Sequence, residues 1–285
     1  MDIFLRAISQ EHNFKISIVD ISESIQEIVE KQATNPLGSM AIAKITIANT
    51  LLGLELKNKE LTTSTLQTEN GLITKIIAEY HDGKIRSYIA NPDFDISQLK
   101  PNQDPIKQAI GTKGTLTVAQ STMGAEPYVS QVGLTDGSID FDYMMYLKKS
   151  AQITSYFNTT VKLDDNLKIA KAVGILIQLF PEHTDEDIDY LDQKIGGSNY
   201  LSEILLKSTN YTALVEEIAS DVVVLETKEI IFKCSCSEEK SLNAIKMLGK
   251  EAIEEIIAEN KPLEVICDFC KTKYILSIEQ IKKLI

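Results

Sequence analysis

The residues in this chain best suited to chemistry are four cysteines, Cys234, Cys236, Cys267 and Cys270, all within the last 52 of 285 residues. They form a C-x-C pair and a C-x-x-C pair with 30 residues between them. Two closely spaced thiol pairs, each beside a predicted strand, suit a tetrahedral site in which four cysteine thiolates hold one zinc ion. Thiolates are soft ligands, so an iron–sulfur centre would satisfy the same spacing; zinc is the expectation carried forward. His12, His81 and His183 are remote in sequence and read as surface or loop residues rather than ligands.

The plain role for such a zinc is a staple, because the 54-residue segment 232–285 has little chain from which to build a core. Thioredoxin-type exchange at Cys267 and Cys270 is disfavoured: that motif lies between two strand patterns, away from the helix start that activates a thiolate. Two features favour a switch. The C-x-C sulfurs are close enough in sequence to close a short disulfide loop once the metal leaves. Zinc-bound thiolates are also already deprotonated and open to oxidants where exposed. Structural zinc binding is worth roughly 10–16 kcal/mol. A typical domain has about 5–15 kcal/mol in total, so loss of the metal should unfold the module.

The elements that must position these cysteines read as mixed α and β. Strands are predicted at Ile16–Val19, Leu61–Gln67, Ile73–Tyr80, Ile85–Ile89, Gly114–Ala119, Tyr128–Leu134 and Ile169–Phe180, with turns at Asn70-Gly71, Asp82-Gly83 and Asp136-Gly137. Helices are predicted from Ser22, from about Ser39 to Leu52 after a break at Asn35-Pro36, and from Asp140 to about Tyr156. The stretch Ala41–Leu54 is apolar, yet Lys44, Thr46, Asn49 and Thr50 interrupt it, so it reads as an internal helix and not a membrane span.

Charge is distributed unevenly. The chain carries 29 basic and 41 acidic side chains, net −12, and residues 179–231 alone carry 3 basic and 12 acidic, net −9. That segment reads as thin amphipathic helices: Thr184 caps one with Ile188, Leu191 and Ile195 on its face, and Gly196-Gly197 stops it. Leu201, Ile204 and Leu205 mark a second stripe, and Tyr211, Leu214 and Ile218 a third. Such helices are marginal alone and should fold only when docked. Beyond it, Ile230–Lys233 is a predicted strand, one helical stretch runs from Leu242 to Ile257, and Leu263–Ile266 and Lys273–Leu276 flank the second cysteine pair. Ser277 and Gln280 form a capping box before a last helix.

At these residues the chain resembles the redox-regulated 33 kDa heat-shock chaperones (33 kDa chaperonin). The carrying stretches are Phe232-Lys-Cys-Ser-Cys-Ser, Met247-Leu-Gly-Lys-Glu-Ala and Val265-Ile-Cys-Asp-Phe-Cys-Lys-Thr-Lys-Tyr274, with fainter likeness across the whole chain. The resemblance implies an α/β (α+β) domain over 1–178 with a client-binding surface, an acidic helical linker over 179–231 and a small α+β zinc-binding redox module over 232–285. It implies that Cys234, Cys236, Cys267 and Cys270 hold zinc in an inactive reduced form. Oxidation would then give the disulfides Cys234–Cys236 and Cys267–Cys270, expel zinc, loosen the linker, allow homodimers and expose apolar surface that holds unfolding clients. The chain departs from the family's pattern at Asn158-Thr-Thr, where Ser-Glu-Gln is usual, at Ser87 in Arg86-Ser87-Tyr88, and at Val173, where glycine is common.

No nucleophile–His–acid arrangement, Walker loop or dinucleotide fingerprint is present, so an enzyme is not expected. The acidic total argues against nucleic acid and anionic membrane as partners. The start of the chain lacks the pattern of a signal peptide, and the expected location is the cytoplasm, in a stress response. Two alternatives remain at this point: a zinc-ribbon nucleic-acid module whose four-cysteine zinc is purely structural, and an enzyme in the first domain. Met123, Met144 and Met145 read either as an adaptable patch or, more simply, as core packing.

Overall fold

The computed structural model describes residues 1–56, 61–121 and 126–285, which fall into two units, Met1–Phe232 and Lys233–Ile285. The first unit begins β1 (Ile3–Ser9), β2 (Phe14–Asp20), α1 (Ser22–Gln32), α2 (Pro36–Leu54), β3 (Leu61–Thr68), β4 (Lys75–His81) and β5 (Lys84–Ile89). It continues with α3 (Pro105–Ile110), β6 (Gly114–Ser121), β7 (Tyr128–Gly133), α4 (Ile139–Tyr146), β8 (Ser155–Leu163) and β9 (Ile169–Leu179). The acidic segment then supplies α5 (Asp185–Ile195), α6 (Ser198–Lys207), α7 (Tyr211–Ile218) and β10 (Val222–Glu229), before β11 (Ile231–Phe232). The second unit holds α8 (Glu238–Lys246), α9 (Lys250–Ala258), β12 (Leu263–Ile266), β13 (Lys273–Leu276) and α10 (Ile278–Lys282).

Two sheets enclose α2. One has the order β10-β1-β2-β9-β8 and the other β11-β5-β4-β3-β6-β7. Every pairing in them is antiparallel except the two-residue match of β11 with β5. The break expected at Asn35-Pro36 is in fact the start of α2: Asn35 accepts the Gly38 N–H and Pro36 fills the first turn, where no N–H is needed. At 19 residues α2 is long and apolar enough to cross a membrane, contrary to the reading of its polar interruptions, but 89% of its most apolar 18-residue stretch is buried in the fold. Those interruptions all find partners. Lys44 reaches Asp140 (3.2 Å) and Thr159, Thr46 bonds Ile42 O and Ser87 Oγ, and Asn49 donates to Thr62 O. Thr50 in turn donates to Thr46 O. Ser87 is thus a second partner for the buried Thr46 hydroxyl, beside the Ile42 carbonyl.

The inner strands β1, β2 and β9 of the five-stranded sheet are buried on both faces, which explains why β9 reads as a continuous apolar run, whereas the edge strand β10 is largely exposed. Phe4, Val19 and Leu176 face the core around α2. Their alternates, among them Leu5, Phe14, Ile16, Ile18, Ile175 and Ile177, form a second core with Leu191, Leu205, Leu214, Val215 and Ile218 of α5–α7. At Gly174 an added Cβ would come 2.3 Å from Ile47, so glycine lets β9 approach α2. Val173, the other departure at this step, instead points into the core beneath α5–α7.

Polar ties ring that second core. Asp187 closes a capping box with Thr184 and accepts from Asn13 N (3.2 Å) and Asn13 Nδ2 (3.0 Å), with His12 Nδ1 at 3.2 Å. Burial works against ionisation of Asp187, but the Asn13 and Thr184 donors outweigh it and hold the carboxyl well below the usual range. Asn158 Oδ1 accepts from Thr160 and from Ser202 of α6, Tyr156 donates to Asp192 (2.7 Å), and Lys171 pairs with Asp20 (2.9 Å). His12 and His183 are half-buried in connecting loops and His81 is exposed, in keeping with the reading of all three as surface or loop residues.

Several boundaries differ from expectation. The helix predicted from Asp140 to Tyr156 ends at Tyr146 with a π-helical turn over Leu147–Ala151, and Gln152 at φ 56° turns the chain into β8. Tyr143, Leu147 and Ala151 all lie in helical turns, as their register predicts; pairing of β8 with β9 takes the chain only from Ser155 onward. The last part of the acidic segment is strand β10 on the edge beside β1, not helix. Asp104-Pro105 starts the unpredicted α3, with Asp104 accepting from Ile106 N and Lys107 N. Gly249, at φ 90°, divides the single helix expected in the second unit into α8 and α9. Met144 and Met145 are half-buried and Met144 packs on the main core, while Met123 lies outside the described residues.

Candidate metal centre

Local backbone rules build both cysteine turns. After Cys234-Ser235-Cys236, Ser237 accepts the Lys240 N–H and starts α8, and Lys240 Nζ folds back onto Ser235 O (2.6 Å). The second turn joins β12 to β13. Cys267 N–H donates to Thr272 O (3.0 Å) and Lys271 N–H to Cys267 O (2.8 Å). Lys271 sits at φ 59°, a left-handed position that closes the loop and aims Cys270 back at Cys267.

The hairpin thereby brings together all four thiols predicted from sequence. Their sulfurs lie within 4.8 Å of one another, with Cys234–Cys267 at 3.7 Å and Cys236–Cys270 at 3.3 Å. Four thiolates at about 2.3 Å around one ion have tetrahedral edges of about 3.8 Å, so the donor set and its spacing fit a metal of zinc's size and softness. All four cysteines are free thiols and half-buried. Among the described residues no second group of three or more His, Cys, Asp or Glu side chains converges in this way.

The thiols differ in acidity. Burial pushes Cys267 up to about 12, against the pull of the Cys270 and Phe269 backbone donors. Burial also raises Cys236, opposed by the Tyr274 hydroxyl. Burial works the same way on Cys270, yet the Thr272 side chain and backbone, with the neighbouring thiols, bring it down to about 6. Crowded sulfurs lose their protons stepwise, and a bound cation would favour the thiolate form of each.

Sequence reasoning left two partners of these sulfurs without a role. Tyr274 donates its hydroxyl to Cys236 Sγ at 3.1 Å, and Thr272 Oγ1 lies 3.2 Å from Cys270 Sγ. The signal for Tyr274 was present in the strand alternation of β13, where Tyr274 and Leu276 turn inward and Lys273 and Ile275 outward. Beneath the cluster, Ile245, Ile253, Leu276 and Ile281 form a buried core in the unit.

A family model described as Hsp33 protein matches residues 2–277. The chain belongs to the Hsp33 family of chaperones. Among Hsp33 relatives, the 33 kDa chaperonin of Bacillus subtilis is 28% identical over 286 residues, covering all of this chain and 98% of that protein. The 33 kDa chaperonin of Staphylococcus carnosus is 30% identical over 288 residues, covering all of this chain and 97% of its own length. The crystal structure of the 33 kDa chaperonin (heat shock protein 33 homologue) from Thermotoga maritima superposes with a TM-score of 0.85 at 28% identity, over 99% of this chain and 97% of that one. The mixed α/β architecture expected from sequence is the Hsp33 architecture, and the family is one of chaperones rather than enzymes.

Proposed function

We propose that this chain is a redox-controlled holding chaperone, inactive while reduced and zinc-bound and active once its thiols are oxidised. The observation that carries the proposal is the convergence of four thiols on a unit that buries five aliphatic side chains. Zinc, when bound, would hold Cys234, Cys236, Cys267 and Cys270 as thiolates and supply on the order of 10–16 kcal/mol toward folding of residues 232–285.

Oxidation by peroxide pairs Cys234 with Cys236 and Cys267 with Cys270. In each pair one thiolate attacks a peroxide oxygen, releasing hydroxide and forming a sulfenic acid, and the second sulfur displaces a further hydroxide to form the disulfide. Each pair gives up two electrons to one peroxide. The four sulfurs then cease to be ligands, zinc leaves, and the redox module unfolds.

The acidic linker, residues 179–231, is the next part to loosen. Its helices are thin, and their net −9 repels once docking fails. Departure of α5–α7 uncovers Phe14, Ile16, Ile18, Val173, Ile175 and Ile177 on the 1–178 domain, an apolar face fit for unfolding proteins. The oxidised form dimerises and acts in the cytoplasm under stress, by stoichiometric holding and without nucleic acid or membrane. The test couples zinc release to light scattering from a heated client. Reduced protein should carry one zinc and leave aggregation unchecked; peroxide at mild heat should consume four thiols, release zinc and suppress scattering. Equal suppression by the reduced form would overturn the switch.

A further inference from the structure

Two hydroxyls touch the sulfur cluster, one on each cysteine motif. Tyr274 Oη donates to Cys236 Sγ at 3.1 Å, joining the C-terminal hairpin to a C-x-C turn 38 residues earlier. Thr272 Oγ1 lies 3.2 Å from Cys270 Sγ, at the closed end of the same hairpin. Backbone pairing fixes both residues. Tyr274 stands opposite Val265 in the β12–β13 ladder, and the pleat turns its ring inward. The Thr272 carbonyl accepts the Cys267 N–H, which holds the residue at the turn.

A thiolate bound to a dication keeps lone pairs that face outward. Four thiolates and one Zn2+ sum to about −2, an excess of electron density at sulfur that hydrogen-bond donors drain. A drained sulfur is a weaker nucleophile toward peroxide. The same donor stabilises the thiolate over the thiol and so strengthens metal binding. Both effects act in one direction: each hydroxyl delays oxidation.

We propose that Tyr274 and Thr272 are positioning residues that set the oxidant threshold of the cluster: Tyr274 donates to Cys236, and the Thr272 hydroxyl, which accepts from the Cys270 thiol at 3.2 Å, turns to donate once Cys270 is a thiolate, so that one sulfur of each prospective disulfide is held. This rests on reading the cluster as an oxidant-sensing zinc site. The arrangement accounts for a feature that a simple staple leaves unused: the donors fall on different motifs, so neither disulfide can form without breaking a hydroxyl contact.

The experiment uses the full chain, loaded in parallel with zinc and with cobalt(II), as wild type, Tyr274→Phe, Thr272→Val and Thr272→Ser. Phenylalanine keeps the ring and its packing and removes only the donor; serine restores a hydroxyl that valine lacks. Tyr274→Phe and Thr272→Val should each bind zinc at least about ten-fold more weakly in chelator competition. They should also shift the thiolate-to-cobalt charge-transfer band and lose thiols to peroxide several-fold faster than wild type. Thr272→Ser should return all three readouts toward wild type. Stoichiometric cobalt loading of each variant establishes that the module is folded. Wild-type affinity, band position and oxidation rate in both Tyr274→Phe and Thr272→Val would overturn the proposal. If wild-type protein loses thiols without gaining holding activity, the chaperone switch fails, while the affinity and cobalt readouts still decide the role of the two hydroxyls.

Discussion

At the scale of single residues, the least comfortable group in the first unit is Asp142. Its side chain is 1% exposed, one oxygen accepts the Thr135 N–H at 3.0 Å, and the other has no hydrogen-bond partner. Burial raises its pKa to about 6, with the Thr135 contact pulling the other way. An unfolded aspartate titrates near about 3.9, so the folded state takes up this proton first as pH falls. Stability from this site therefore rises as pH drops from about 6 to about 4, and is absent at pH 7. The effect is on the order of 2 kcal/mol. Asp142→Asn keeps the acceptor for Thr135 and cannot titrate. The difference in melting temperature between wild type and this variant should narrow or change sign from pH 7 to pH 5, and a constant difference would show that Asp142 is not the responsible group. The cysteines were legible from spacing alone, because metal ligation needs residue types in short pairs. Asp142 was not, since nothing local marks a helical aspartate as buried.

Helices α5–α7 and strand β10 show what a segment of sequence can and cannot disclose. Thr184, the Ile188–Leu191–Ile195 stripe and the Gly196 stop were all readable, because caps and 3.6-residue periodicity are local properties. Strand β10 was missed although Val222-Val223-Val224 is a β-branched run. Its identity depends on pairing with β1, at the opposite end of the unit's sequence, and its acidic surroundings matched the helices before it. The same holds for β8, whose first residues, Ser155 and Tyr156, read as the end of a helix and which is defined by its pairing with β9. Leu191 is fully buried at the centre of the second core. Leu191→Ala should cost roughly 2–5 kcal/mol and weaken docking of α5–α7. In the reduced, zinc-bound protein this variant should already suppress client aggregation and bind an apolar dye more strongly than wild type. A variant with undocked helices and no holding activity would show that the β1-β2-β9 face does not bind clients.

For the molecule as a whole, the two units have very different reserves. The first has two extensive apolar cores, one on each face of its five-stranded sheet, whereas the second buries Ile245, Ile253, Leu276, Ile278 and Ile281. Calorimetry of the reduced protein should show two transitions, and a zinc chelator should abolish the one belonging to residues 233–285 while leaving the other within a few degrees. A single transition unaffected by chelation would mean that the second unit stands without metal. The contacts between sulfurs carry one more consequence, in the connectivity of the chain. Cys234 and Cys267, 3.7 Å apart, and Cys236 and Cys270, 3.3 Å apart, are separated by 33 and 34 residues, so a common ligand ties together distant parts of the module. A cross-link closing a loop of that length restricts the unfolded chain by about 4 kcal/mol, whereas one closing three or four residues restricts it by less than about 2. Pairing the same sulfurs within each motif would therefore convert long-range ties into local ones. Every sulfur would remain bonded, yet the loops spanning the module would be opened, and a chain held as a ring would become free to extend.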